Sequence, residues 1–178
     1  MKVLLVFLML AAGALASCDK DPEGTNEKLY VASCKPGQPL LVNSIVVNNN
    51  DGSTDYPINV DATLNIILNL TNTGGKPFDA MTLSAGIDRY TDIFGICSWI
   101  GIPTFGLTDD LSACDFGDSN ICPLKTGTTI VKDVIDLSAF KAIISILSAS
   151  EPYRLTLTFK SNGQEIACYT VEARIVKG

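Results

Sequence analysis

The 178-residue chain contains no histidine. This absence removes imidazole general bases, serine and cysteine nucleophiles activated by histidine, and histidine-ligated zinc. It also lacks any basic cluster: 13 Lys and Arg face 19 Asp and Glu, for a net charge of −6. Such a balance argues against a nucleic-acid partner and against electrostatic attraction to anionic lipid. No cofactor or metal motif is present, so none is expected. The one obvious acidic pair, Asp109-Asp110, reads as a solvated turn, because nothing in the pattern places it in a cleft. The chain is therefore not expected to be an enzyme.

Long apolar runs are scarce as well. The opening stretch "MKVLLVFLMLAAGALA" has a basic residue, an apolar run and an Ala14-Leu15-Ala16 cleavage pattern. Residues 1–17 read as a secretory signal peptide, and 18–32 as an N-terminal loop. Leu15-Ala16-Ser17-Cys18 also resembles a bacterial lipoprotein box. Against that reading stands the even set of six cysteines, Cys18, Cys34, Cys97, Cys114, Cys122 and Cys168, which suggests full pairing in an oxidising compartment. A second apolar stretch, "DLSAFKAIISILSASEP" over Asp136–Pro152, is too short to span a bilayer, which takes about 20 residues. Leu137, Phe140, Ile143, Ile144 and Leu147 recur there at helical spacing, which predicts a short helix near 138–148.

What the sequence has in abundance is period-two alternation. Val60, Ala62, Leu64, Ile66, Leu68 and Leu70 form one apolar parity, set against a polar one broken only by Ile67. Met81 to Ile87 and Tyr153 to Lys160 repeat the pattern, and Pro39–Val47, Gly127–Leu137 and Glu165–Val176 read as further strands. Asn162-Gly163 predicts a tight hairpin between the last two strands. The residues after the signal fit one domain, an all-β Ig-like sandwich of two sheets. Asn69-Leu70-Thr71 is an N-glycosylation sequon on the polar parity.

Three motifs carry a resemblance. "CPLKTGT" (Cys122–Thr128), "SNGQEIACYTVEARIVKG" (Ser161–Gly178) and "SCKPG" (Ser33–Gly37) together resemble the ML lipid-recognition family over residues 33–178. Within that family they are most similar to the lysosomal ganglioside activators. The resemblance implies a carrier, not an enzyme: a sandwich that opens between its sheets to hold one sphingolipid, phospholipid or sterol. It also implies a secreted or lysosomal location, transient membrane contact, and presentation of glycolipid to a lysosomal glycosidase. Carried over residue by residue, it implies disulfides Cys34–Cys168 and Cys114–Cys122, with Cys18 and Cys97 remaining for each other.

Under this resemblance, the cavity and its mouth are expected at Leu64, Ile66, Leu68, Leu157 and Phe159, and at two apolar stretches. One holds Phe94, Ile96, Trp99, Ile102 and Phe105, with Gly and Pro too frequent for a regular strand. The other holds Phe140, Ile144 and Leu147, as a lid or as a membrane contact. Small inward residues such as Ala62 and Ala85, and few large aromatics, suit a gap between the sheets. Alternation alone also suits an ordinary filled core, and then a secreted Ig-like interaction module.

Overall fold

In a computed structural model of the chain, the described residues are 18, 22–49, 52–54, 56–61, 63–115, 121–149 and 151–177. The expected signal peptide over residues 1–17 lies outside them, as do Ala62 and Gly178. The strands are β1 (Tyr30–Ser33), β2 (Leu40–Asn48), β3 (Ile58–Asn59), β4 (Leu64–Asn72), β5 (Met81–Ile93), β6 (Ile96–Ile102), β7 (Leu111–Ser112), β8 (Gly127–Ile135), β9 (Pro152–Ser161) and β10 (Gln164–Val176). A 3-10 turn, Leu137–Phe140, leads into the short helix α1 (Lys141–Ile146).

Two sheets form the sandwich. The larger has the order β1-β10-β9-β5-β6, with β3 added on β10 and β7 on β5. The smaller is β2-β4-β8. All pairings are antiparallel except the two-residue β3–β10 ladder.

Local chemistry explains most boundaries. The β9–β10 turn is Asn162-Gly163, both left-handed at φ 50° and 75°, the geometry that a twist-matched two-residue hairpin demands. The β5–β6 turn uses the same geometry with Phe94-Gly95 at φ 55° and 83°. There the Gly95 N–H donates to Asp92 Oδ1 at 2.6 Å. This corrects the expectation that Phe94–Leu107 is too broken for a strand. Gly95 falls in the turn and Pro103 follows the strand end, so β6 runs uninterrupted between them. β4 starts at Leu64 rather than Val60, because Asn59 Oδ1 accepts from Asp61 N at 3.0 Å and closes a turn before it. β1 begins at Tyr30, inside the segment read as a loop.

Two hydrophobic clusters stand at opposite ends of the sandwich. The first is filled by Leu40, Leu70, Phe78, Met81, Leu124, Val131, Phe159 and Tyr169, with smaller residues between them. At ~1.5–3 kcal/mol for each large apolar side chain fully buried, this end supplies much of the stability. Leu124, from the Cys-Pro motif, is fully buried, and its backbone exchanges hydrogen bonds with Phe78 at 2.9 and 3.1 Å. The second cluster is small: Val60, Tyr153 and Ile175, with Ile58, Ile87, Ile102, Leu137, Ile144 and Leu147 against them.

Three disulfides fasten the chain, Cys34–Cys168, Cys114–Cys122 and Cys18–Cys97. The first joins the turn after β1 to β10. Beside it the buried Gln38 donates to the Cys168 carbonyl at 3.1 Å and accepts from the Cys168 N–H.

Candidate functional site

Between the two clusters the sheets do not fill the space they enclose. Inner side chains of packed sheets normally meet across about 10 Å. Here a cavity of about 360 Å³ remains. Its walls are Ile45 and Val47 from β2, Leu64, Ile66 and Leu68 from β4, Leu83, Ala85 and Ile87 from β5, Leu155 and Leu157 from β9, and Val171 and Ala173 from β10. Leu155 points into the sandwich yet stays 37% exposed. It lines the cavity, and this incomplete burial is how a hollow shows in a single residue. Residue size accounts for part of the gap: Ala85 and Ala173 contribute only a methyl group, and Phe78, Phe159 and Tyr169 lie toward the filled end, while Phe140 and Tyr153 stand at the α1 end.

A cross-sheet bond marks the border between filled and hollow. β2 carries a bulge between Val42 and Ser44. The Val42 N–H donates across the sandwich to Tyr169 Oη at 3.0 Å.

At the other end α1 closes the cavity. Asp136 caps the 3-10 turn, accepting from Ser138 N and from Ser138 Oγ at 2.8 Å each. These bonds hold the Asp136 carboxyl below its ordinary pKa. Leu137, Phe140, Ile143, Ile144 and Leu147 turn inward onto the cavity. Ile143 is buried, whereas Ile146 on the opposite side is exposed. The stretch is thus a lid by position. Tyr153 anchors its end: the hydroxyl accepts from Ser148 N at 2.7 Å and donates to Ser148 O at 3.2 Å. Burial pushes the Tyr153 phenol above its usual pKa.

The residues expected at the site divide by element. Leu64, Ile66, Leu68, Phe140, Ile144, Leu147, Leu157 and Phe159 all line the cavity. Those of the β5–β6 hairpin do not. Trp99 faces outward, because strand parity puts it opposite Ile100 and Ile102. It stacks with Tyr90 at 5.0 Å, and the Arg154 guanidinium lies 4.1 Å from its ring centre. Arg154 in turn pairs with Glu172 at 2.7 Å, whose side chain is almost fully buried. Trp99 is therefore not among the residues that line the cavity. Ile102 packs on the small cluster. Phe94, Ile96 and Phe105 stand free of the cavity at 102%, 70% and 75% exposure. β5 pairs with β9 only as far as Arg89↔Tyr153, so its last four residues and the turn project past the sheet at the α1 end.

Elsewhere, Asp110 pairs with Lys160 at 3.3 Å on an exposed turn. Asn69 lies on the outer face of β4, accepting from Asn43 Nδ2 at 3.0 Å. Among the described residues no group of His, Cys, Asp and Glu is arranged to hold a metal ion. No helix there is long and apolar enough to cross a membrane. Sequence reading passed over Asp133, which also lines the cavity. β8 carries apolar residues on both parities, so alternation does not reveal which face turns inward.

Fold and cavity define an Ig-like sandwich with an apolar hollow between its sheets. The chain is similar in fold to a Niemann-Pick type C2 protein from the Japanese carpenter ant, with a TM-score of 0.50 and 14% identity over 82% of this chain and 98% of that one. The C-terminal domain of wzt aligns over 87% of this chain and 82% of its own, with a TM-score of 0.46 and 9% identity, too slight a likeness to argue from. No protein-family model matches the sequence, and no curated protein matches it significantly.

Proposed function

We propose that the protein is a lipid carrier that holds one lipid in the apolar cavity between its sheets. The observation that carries this reading is the cavity itself: about 360 Å³, walled almost wholly by aliphatic side chains from both sheets and α1. Its volume lies within the ~300–1,000 Å³ of ordinary ligand pockets. Each buried methylene contributes ~0.8 kcal/mol, so an acyl chain or a sterol body is held with few polar contacts. The reading also draws on the resemblance of the Cys-Pro, Ser-Cys and terminal hairpin motifs to the ML family. A filled interaction module, the rival reading, predicts no such cavity.

Loading takes place at the end where α1 and the β5–β6 turn lie together. Phe94 and Ile96 project there, fully or largely exposed, and Ile146 is exposed on α1. Apolar tips of this kind enter the bilayer interface, where the lid can move aside and one lipid can pass inward. The carrier works in the secretory route, outside the cell or in the lysosomal lumen. Presentation of a glycolipid to a glycosidase rests on the family resemblance alone. A glycan on Asn69 would stand on the outer face of the small sheet, clear of the cavity.

The test is direct. The secreted protein is extracted with solvent and its lipid identified by mass spectrometry, and transfer of fluorescent lipid between vesicles is followed. We expect co-purified lipid and protein-dependent transfer. A protein that is empty and moves no lipid would sink the proposal.

A further inference from the structure

The cavity wall contains one charged side chain among the described residues, and it stands where an apolar residue belongs. Along β8, Val131, Asp133 and Ile135 share one face, and Ile130, Lys132 and Val134 share the other. Val131 is buried, while Ile130 and Val134 are 62% and 56% exposed, which fixes the inner and outer faces. Asp133 is therefore turned inward, level with Ile66 on β4, in a wall that is otherwise uncharged and mostly aliphatic. Its Oδ1 accepts from the Val134 N–H at 2.9 Å. Its Oδ2 has no protein donor among the described residues, and no Lys or Arg lines the cavity beside it.

A carboxylate deep in an apolar interior with no partner costs several kcal/mol or gives up its charge. Asp133 is only half-buried, on a strand at the edge of the small sheet. It marks the rim, where the hollow meets water. There it presents an anionic acceptor, half unsatisfied, to whatever occupies the cavity. An inward charge can also serve to discourage edge-to-edge pairing of a strand such as β8, but that role is indifferent to the ligand.

Resting on the carrier reading above, we infer that Asp133 selects the head group of the bound lipid. It favours a polar end that donates a hydrogen bond, an ammonium first and a hydroxyl second, and it rejects a carboxylate. The physical basis is the charge-assisted hydrogen bond, roughly twice as strong as a neutral one, set against like-charge repulsion beside a low-dielectric wall.

Three single-chain ligands of equal length, a primary amine, an alcohol and a carboxylic acid, are used at neutral pH to displace a fluorescent apolar probe from the mature chain. The wild type should rank them amine, alcohol, acid, with the amine favoured over the acid by about tenfold or more. Asp133→Asn, which keeps shape and removes charge, should lower the amine's advantage about tenfold and leave the alcohol nearly unchanged. Asp133→Leu should admit the acid. A preference for the acid in the wild type, or an amine-to-acid ratio that is the same in the wild type and Asp133→Asn, overturns the assignment while probe uptake continues to support a carrier. If neither the probe nor any of the three ligands binds, the carrier reading falls and this one with it.

Discussion

The two ends of the sandwich are built on the same alternation and come out differently. At one end the inward positions of β2, β4, β8, β9 and β10 meet Phe78, Leu124 and Tyr169, and Leu40, Leu124 and Ala167 are essentially inaccessible. At the other, inward Ile66, Leu155 and Leu157 line the cavity, and α1 lies across its end. Period two sets which side chains turn inward. Whether they touch depends on their bulk and on the loops that bring in further side chains. Phe78 and Leu124 come from such loops, and the Cys114–Cys122 bridge holds the segment before Leu124 in place.

The sharpest test of that contrast is to delete volume at each end. Leu40→Ala, at the filled end, should cost about 2–5 kcal/mol in chemical denaturation, since the walls there cannot collapse. Leu155→Ala should cost clearly less, near 1 kcal/mol, because much of that side chain already lacks neighbours. Equal losses would show the two ends to be packed alike.

Adding volume should reverse the ranking. Ala85→Leu reaches into the hollow and should change stability by less than about 1.5 kcal/mol, while lowering lipid uptake at least tenfold in the vesicle assay. A variant that still loads normally would show that the lipid lies elsewhere.

A smaller effect is expected at the projecting turn. Phe94 is a bulky residue in the left-handed region, a conformation that costs an ordinary L-residue about 1–2 kcal/mol and asparagine less. Phe94→Asn should therefore raise stability by up to about 1 kcal/mol and weaken vesicle association. Phe94 is fully exposed, and unchanged vesicle association would remove this turn from the proposed membrane contact.

The smallest effect concerns the lid. The Tyr153 pKa is raised in the folded protein by burial, so folding keeps a proton that the unfolded chain gives up near pH 10. The associated stability is complete below pH 10 and is lost as pH rises through the higher folded value. Tyr153→Phe should cost about 1 kcal/mol at neutral pH and speed hydrogen exchange at Ser148 and along α1, with the filled end unchanged. Uniform acceleration across both sheets would mean that α1 is not an independent unit.

Much of this architecture is legible in the sequence. β4, β5, β9 and β10, the Asn162-Gly163 hairpin and the helical segment follow from periodicity and turn chemistry. Alternation marks Leu64–Leu68 and Leu157–Phe159 as inward-facing, but that they wall a cavity rather than a filled core is implied only by the family resemblance. The hairpin Phe94-Gly95 does not, because Phe is a poor turn residue and only its glycine hints at the bend. Trp99 misleads for a related reason. Without β6 as a strand its parity is undefined, and only the pairing with β5 shows that it lies outside, beneath Arg154. Asp133 is invisible because β8 is apolar on both faces. The Cys-Pro motif, which carries much of the resemblance, builds the filled end and not the hollow.

The bond from Val42 to Tyr169 has a mechanical meaning. It ties the sheets near Leu70 on β4, and Leu64 at the far end of that strand lies six residues away. At ~3.3 Å per residue this is a lever arm of ~20 Å. On an arm of that length, a rotation of ~10° about the tie would change the sheet spacing at the α1 end by ~3 Å. The sandwich thus has the proportions of a clothes peg: the tie beside the β2 bulge lies toward the filled end, and the longer arms reach the α1 end.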